Sequence, residues 1–263
     1  MLAFNHLGTL GRLGNQMFQY ASLRGIAARK GYQFCIPPSN FQDEWRNHQL
    51  FEVFELSNYP NSGEFLDNGY APVVQEKTFG YDKELHDLCP NDVSLWGFFQ
   101  TEKYFKHIEE SIREDFKFRD HILEPCTEMA ESIGNAVSLH VRRTDFLKNS
   151  GNHYNLQLDY YEKALSKIDP DRTVIVFSDD SEWCEQQELF SGDRFMISES
   201  NDNGVDMCLM TFCKAHIIAN SSFSWWGAWL ANSKEVIAPS KWFGPNNSHL
   251  NTKDIYCNHW EIV

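Results

Sequence analysis

The stretch of this sequence best suited to chemistry is residues 136–145, AVSLHVRRTD, where an apolar run ends in Arg142 and Arg143. Its alternation of apolar and polar residues predicts a strand. In an open α/β sheet, ligands bind just beyond the carboxyl ends of the strands, and a guanidinium group there suits a phosphate. The alternative is a solvated loop in which both arginines pair with neighbouring carboxylates.

Two further polar clusters follow predicted strands, at residues 178–180 (SDD) and 220–224 (NSSFS). Because parallel strands end at the same edge of a sheet, all three clusters could surround one ligand. The Asp179 carboxylate could accept hydrogen bonds from N1–H and the exocyclic amine of a guanine. Ser221 and Ser222, at a predicted helix start, could donate to a phosphate. The alternative for each is a helix N-cap without a ligand.

A glycine-rich loop near the N-terminus, residues 8–16 (GTLGRLGNQ), leads into a predicted helix that starts at Asn15. A helix N-terminus favours an anion through its N–H groups and its dipole. The loop matches neither the dinucleotide fingerprint nor a P-loop, so a simple turn and helix cap is the alternative.

The order of the predicted elements indicates an α/β protein. After residue 136, strand and helix alternate five times over about a hundred residues, which is typical of a doubly wound parallel sheet. We expect an N-terminal α/β domain at 1–130 and a Rossmann-like domain at 131–263, with the last stretch able to cross back onto the first domain.

The composition limits the functional class and the location. The chain has 263 residues, 42% of them hydrophobic, as in soluble globular proteins, and no apolar run of the length that crosses a bilayer. A net charge of -14 argues against nucleic-acid binding. Seven scattered cysteines without a zinc pattern indicate free thiols in a reducing compartment. We expect a cytoplasmic protein, either free or peripheral to the inner face of a membrane.

Four motifs together resemble the galactoside α-1,2-fucosyltransferase family, glycosyltransferase family 11. They are GRLGNQMFQYA at 11–21, HVRRTD at 140–145, FSDD at 177–180, and the segment from Asp206 through ANSSFSWWGAWL at 219–230. They occur in the order of the family. Thr144 departs from it, since the family often has glycine there, and Phe146 stands where tyrosine is frequent.

The resemblance implies a glycosyltransferase B-type fold, two Rossmann-like domains facing a cleft, with the first on the acceptor side. It implies an inverting fucosyltransferase that uses GDP-fucose, without metal or other cofactor, and modifies a β-galactoside, most often at O2. The acceptor would be an oligosaccharide or a lipid-linked glycan of polysaccharide biosynthesis or protein glycosylation.

The resemblance also implies roles for individual residues. Arg142 would hold the pyrophosphate of the donor, and Asn15 would face the donor across the cleft. The other expected donor-binding residues are His140 and Asp179 near the guanosine, Ser221, Ser222 and Phe223 near the phosphates, and Arg143, Gly14 and Gln16.

Inverting transfer needs alignment of the acceptor, relief of charge on the leaving diphosphate and a proton acceptor. The sole Asp-x-Asp, residues 169–171, is better interpreted as a turn than as a metal site. We therefore expect Arg142, helped by Arg143, the helix start at Ser221 and Asn15, to relieve the charge. Asp145 is a candidate base, but its spacing favours a role in orienting Arg142.

Three alternatives stay open. A related inverting transferase could make another linkage, such as α-1,3, or use another GDP-sugar. A binding module without catalysis would have no need of Arg142 and Ser222 together. A dinucleotide oxidoreductase is the rival for any alternating α/β chain, but the chain lacks the Gly-x-Gly-x-x-Gly loop after a strand.

Overall fold

The computed structural model describes residues 1–39, 47–58, 62–200 and 202–263 and divides the chain into two compact units. The first unit is Met1–Arg119 with Asn251–Cys257, and the second is Asp120–Leu250 with Asn258–Val263. The expected boundary after residue 130 falls inside helix α5 (Asp120–Ile133). That helix packs against a later helix of the second unit, so it belongs there as a whole.

The first unit contains a four-stranded parallel sheet in the order β2-β1-β4-β3. Its strands are β1 (Leu2–Ala3), β2 (Phe34–Cys35), β3 (Val73–Gln75) and β4 (Val93–Trp96). The long helix α1 (Leu13–Lys30) connects β1 to β2. It ends at Gly31, whose φ of +68° lets its N–H reach the last carbonyls of the helix.

The described residues of the first unit also form three shorter α-helices: α2 (Leu50–Val53), α3 (Lys83–Leu88) and α4 (Glu109–Asp115). The pattern of residues 101–116 predicts one helix, but the structure has two 3₁₀ turns followed by α4. The cap at Thr101 is confirmed, because its side chain accepts from the Lys103 N–H. Phe105, fully buried and with φ of −127°, breaks the helix between the turns.

The second unit contains a six-stranded parallel sheet in the order β10-β9-β8-β5-β6-β7. The strands are β5 (Val137–Val141), β6 (Val174–Ser178), β7 (Phe195–Ile197), β8 (Ala215–Ile217), β9 (Glu235–Ala238) and β10 (Glu261–Ile262). The first of these strands in the chain, β5, lies in the middle, and the chain winds outward from it in both directions. The predicted doubly wound parallel sheet is confirmed.

Besides α5, the described residues of the second unit form five α-helices around this sheet. They are α6 (Thr144–Lys148), α7 (Leu158–Leu165), α8 (Ser181–Glu185), α9 (Asn203–Phe212) and α10 (Ser222–Leu230). Every residue of β5 is buried, and its apolar side chains join those of β6, β8 and α7 in one core. Helix α10 is largely buried, and its three tryptophans, Trp225, Trp226 and Trp229, all lie in the interior.

The strand order sets where a ligand can bind. Winding reverses between β5 and β8, which pair through Leu139 and Ile217, and the carboxyl ends at such a reversal form a crevice. On the other side of β5, Val141 pairs with Ser178 of β6, so Asp179 follows alongside Arg142. No helix among the described residues is at once long and apolar enough to cross a bilayer.

Candidate active site

Arg142, directly after β5, is held by two carboxylates. Its Nη2 donates to Asp145 Oδ2 at 2.6 Å, and its Nε lies 3.5 Å from Asp179 Oδ2. The Arg142 side chain is only 15% exposed. Two acidic partners on a partly buried, planar guanidinium fix its orientation before any ligand arrives. This is the orienting contact that the spacing of Asp145 predicts.

Asp179 anchors the loop that carries Arg142. Its Oδ1 accepts from the Arg143 N–H at 2.8 Å, and its Oδ2 accepts from the Thr144 N–H at 3.1 Å. The Thr144 hydroxyl also donates to Oδ2. Thr144, the departure from the family pattern, therefore strengthens the anchor. Contact of Asp179 with a guanine stays a prediction.

Arg143 turns toward helix α8 rather than toward Arg142. Its Nε donates to Asp180 Oδ2 at 3.1 Å, and its guanidinium carbon lies 3.7 Å from the centre of the Trp183 ring. Asp180 also caps α8 by accepting from the Trp183 N–H. The contacts of Arg143 thus brace the loop against α8, and direct binding of the donor by Arg143 stays a prediction.

His140 joins the end of β5 to helix α10. The residue is 3% exposed, and its Nδ1 lies 2.9 Å from Ser224 Oγ. Burial, reinforced by the charge of Arg142, lowers the pKa of His140 to about 3. The imidazole is therefore neutral at physiological pH and serves as a hydrogen-bonding group rather than as a cation. Phe223 lies beside it, with ring centres 5.5 Å apart.

The N-terminus of α10 lies at the same edge of the sheet. Ser221 is its N-cap and accepts from the Phe223 N–H, and no acidic residue occupies the first turn. The loop before it is fixed by Asn220, whose Nδ2 donates to the carbonyls of Tyr154 and Trp242 at 2.8 and 2.7 Å. The positive end of the helix dipole is thus available to an anion beyond β8.

The charges of the loop cluster nearly cancel. Two guanidinium groups, of Arg142 and Arg143, face three carboxylates, of Asp145, Asp179 and Asp180. The arginines alone therefore give no surplus of positive charge for a diphosphate. Favourable binding of an anion would depend on the N–H groups at the start of α10 as well.

Two aromatic rings stack beside Arg142, and the sequence pattern does not predict this stack. The rings of Phe146 and His153 lie 4.1 Å apart at an angle of 10°, and the Arg142 guanidinium carbon lies 5.8 Å from the centre of the Phe146 ring. Burial lowers the pKa of His153. No sequence signal identifies His153, since the loop after α6 determines which ring reaches Phe146.

Asp206 on α9 is the first residue of the fourth motif, and its spacing alone does not single it out as a site residue. Its Oδ1 accepts from Ser198 Oγ at 2.8 Å, just beyond the carboxyl end of β7. Burial raises the pKa of Asp206 to about 6. A partly buried carboxylate at this edge of the sheet is a candidate acceptor for a polar ligand.

The remaining candidates, Gly14, Asn15 and Gln16, lie in the first turn of α1 in the first unit, because α1 begins at Leu13. Asn15 Oδ1 accepts from Gln100 at 2.6 Å. Gln16 is 3% exposed. Its Oε1 accepts from the Gln49 N–H at 2.8 Å, and its Nε2 donates to the Gly11 carbonyl at 3.3 Å. These contacts give Gln16 a structural role in the loop, and its contact with the donor stays a prediction.

The predicted turn at 169–171 is confirmed, since Asp169 Oδ1 accepts from the Asp171 N–H at 3.0 Å. In the parts of the chain that the structure describes, no group of three or more His, Cys, Asp or Glu side chains is arranged to hold a metal ion.

Comparison with known proteins places these features in a family. The family model described as glycosyl transferase family 11 matches residues 3–263. An α-1,2-colitosyltransferase of Escherichia coli is 33% identical over 95% of both chains. The O-antigen biosynthesis glycosyltransferase WbnK of Escherichia coli is 29% identical over 94% of this chain and 98% of its own. A rat galactoside α-(1,2)-fucosyltransferase 1 is 29% identical over 86% of this chain and 63% of its own.

Among solved structures, the fucosyltransferase NodZ from Bradyrhizobium matches with a TM-score of 0.55 and 15% identity, over 86% of this chain and 92% of its own. This likeness, together with two parallel sheets, shows the α/β glycosyltransferase B-type fold. With the match of the family model along nearly the whole sequence, it follows that the chain belongs to glycosyl transferase family 11, the family of the galactoside α-1,2-fucosyltransferases.

Proposed function

We propose that the protein is an inverting fucosyltransferase that moves L-fucose from GDP-fucose to O2 of a terminal β-galactoside. The observation that carries the proposal is Arg142, held by Asp145 and Asp179 at the end of β5, beside the N-terminus of α10 where the winding of the sheet reverses. The α-1,2 linkage in the names of two relatives supports the regiochemistry.

In this proposal the chain's own groups stabilise the departing GDP. Negative charge develops on the diphosphate as the bond to fucose breaks, and Arg142 with the first turn of α10 is arranged to offset it. Neutral His140 contributes hydrogen bonds, and Asn15 contributes a donor. The reaction then needs no metal ion and no other cofactor.

The nearest rival concerns the donor sugar. The most nearly identical of the relatives above is named as a colitosyltransferase. Colitose is the 3-deoxy form of fucose, so the two sugars differ by one hydroxyl group. A GDP-activated colitose is therefore the second candidate donor. An α-1,3 linkage is the alternative for the acceptor.

For the acceptor we propose an oligosaccharide or lipid-linked glycan ending in β-galactose. The relative named for O-antigen biosynthesis favours a lipid-linked glycan. Such an acceptor would be modified in the cytoplasm, at the inner face of the membrane.

A transfer assay in EDTA tests the donor, the linkage and the metal together. We would pair GDP-fucose and GDP-colitose with lactose, N-acetyllactosamine and Galβ1-3GalNAc, and follow GDP release and the product linkage. We expect fucose at O2 of galactose at a rate that EDTA does not change. Preference for GDP-colitose would transfer the proposal to the second donor, and loss of activity in EDTA would contradict a metal-free mechanism.

Asp145→Asn should retain transfer to within about tenfold of the wild-type kcat. The carbonyl oxygen of the substituted asparagine side chain can still accept from Arg142, so the guanidinium keeps its orientation, whereas general-base catalysis typically contributes 10²–10⁴-fold. The kcat values of both proteins, measured from pH 5 to pH 9, give the answer. A loss of more than about 100-fold across this range would instead identify Asp145 as the base.

A further inference from the structure

The geometry points to Gln100 as a positioning residue that fixes the side-chain amide of Asn15 with Nδ2 as its donating face. The inference rests on the proposed function, in which Asn15 takes part in transfer. Gln100 is 8% exposed and donates from Nε2 to Asn15 Oδ1 at 2.6 Å. This bond fixes which end of the Asn15 amide is the oxygen and which is the NH₂ group. Since an NH₂ group only donates, a ligand atom that contacts Nδ2 must be an acceptor, such as a phosphate or hydroxyl oxygen.

A row of buried polar side chains on α1 supports this arrangement. Gln19 is fully buried, and its Nε2 donates to the carbonyls of Leu10 and Gly97, both at 3.1 Å. Ser22, also fully buried, donates to the Phe99 carbonyl at 3.3 Å. Buried polar groups are costly unless they are hydrogen-bonded. Here they tie the loops that follow β1 and β4 to the helix that carries Asn15.

The loop that carries Gln100 is held in a strained conformation. Phe99 has φ of +54°, a left-handed backbone conformation that is strained for a non-glycine residue. Its ring is fully buried and packs on Phe4 and Tyr104. Such strain persists only where the surroundings enforce it, so the position of Gln100 is imposed by the fold.

Glu76, just after β3, clamps the same loop. Its two carboxylate oxygens accept from the N–H groups of Phe98 and Phe99 at 2.8 and 3.1 Å. Burial raises the pKa of Glu76 to about 7, so the fully ionised clamp predominates above that pH. Experiments on Gln100 are therefore best performed at about pH 8, where Glu76 can accept both bonds.

The glycine-rich loop confines Asn15 from its other side. Gly11 has φ of +80°, and a Cβ atom there would lie 1.9 Å from Asn15 Nδ2. The amide therefore fits only because residue 11 has no side chain. With Gln100 on one side and Gly11 on the other, the Asn15 amide has little freedom to rotate.

A double-mutant cycle tests whether Gln100 acts through Asn15. We would compare Asn15→Ala, Gln100→Leu and the double variant in fucosyl transfer. A further variant, Gln100→Glu, is paired with the control Gln33→Glu, because Gln33 is exposed. Gln100→Leu should lower kcat by about 10–100-fold with less than about threefold change in KM for GDP-fucose. The double variant should match Asn15→Ala to within about twofold, because the two losses share one cause.

Gln100→Glu is a second variant of nearly the same shape. A carboxylate repels Asn15 Oδ1 and attracts Nδ2, so kcat should fall at least as far as in Gln100→Leu, while Gln33→Glu should retain wild-type kcat. If the losses of Asn15→Ala and Gln100→Leu multiply in the double variant, Gln100 does not act through Asn15 and the inference is overturned.

A second readout needs no turnover. The side-chain ¹⁵N–¹H₂ signal of Asn15, assigned by its disappearance in Asn15→Ala, should shift in Gln100→Leu and Gln100→Glu but not in Gln33→Glu. An unchanged signal would overturn the inference even if the protein transferred no fucose. Failure of the wild-type protein to transfer, with a shifted signal, would instead contradict the proposed function alone.

Discussion

Arg142→Lys should lower kcat/KM for fucosyl transfer by about 10²–10³-fold, the usual effect of removing one preorganised donor to developing charge. Lysine keeps the positive charge but cannot reproduce the planar fork that meets Asp145 and Asp179 together. Its compact ammonium group would also lack the two parallel N–H donors that a guanidinium can offer to a diphosphate. Arg142→Ala, which loses the charge as well, should abolish transfer.

Steady-state kinetics with GDP-fucose, together with calorimetric binding of GDP, would measure both losses. Arg194→Lys is the matched control, because Arg194 immediately precedes β7, at the opposite edge of the sheet, and donates to the Pro170 carbonyl. The control should keep wild-type kcat, and all three variants should retain the wild-type far-ultraviolet circular dichroism. Near-normal turnover of Arg142→Lys would show that charge alone is required, and near-normal turnover of Arg142→Ala would refute the assignment.

The second unit could be predicted well because its signals are local. The central strands β5, β6 and β8 are short, mostly apolar runs. The helices that follow β6, β7 and β8 each begin with a capping residue: Asp180, Asp202 and Ser221. The sequence pattern predicts a helix at about 223–230 and a strand at 236–238, and the observed α10 and β9 each begin one residue earlier and end at the predicted residue. The winding of the sheet then follows from general rules of α/β folds.

The first unit shows where local signals fail. The apolar run 93–99 predicts one strand, but β4 ends at Trp96 because Gly97 and Phe99 both have positive φ. Glu76, which holds this loop, lies more than twenty residues earlier in the chain. No sequence motif predicts a hydrogen bond between a carboxylate and backbone N–H groups that are so far apart along the chain.

In the site, the contact between Arg142 and Asp145 could be predicted because three residues separate them. The role of Asp179 could not, since it depends on the parallel register of β5 and β6. The alternative of Asp179 as the N-cap of α8 is wrong by one residue, because Asp180 accepts from the Trp183 N–H. A contact between a side chain and the loop that follows a different strand can be identified only from the tertiary structure.

Asp179→Asn should both destabilise the second unit and lower kcat/KM by at least about 10²-fold, because the loop that positions Arg142 loses its anchor. The Asp179 carboxylate accepts from the Arg143 N–H at one oxygen, and from the Thr144 N–H and hydroxyl at the other. An asparagine must place its NH₂ group against one of these donors. A buried donor left without its acceptor costs about 1–3 kcal/mol.

Thermal unfolding without nucleotide separates this role from the one predicted for a guanine ligand. We expect a lower melting temperature for Asp179→Asn than for the wild type, and an unchanged one for Asp193→Asn, whose side chain is exposed. A variant with the wild-type melting temperature and weaker binding of GDP would assign Asp179 to the guanine instead. Loss of both stability and turnover would mean that Asp179 acts through the backbone of the Arg142 loop. The register of β5 and β6, which brings Asp179 to that loop, would then determine the position of the Arg142 guanidinium.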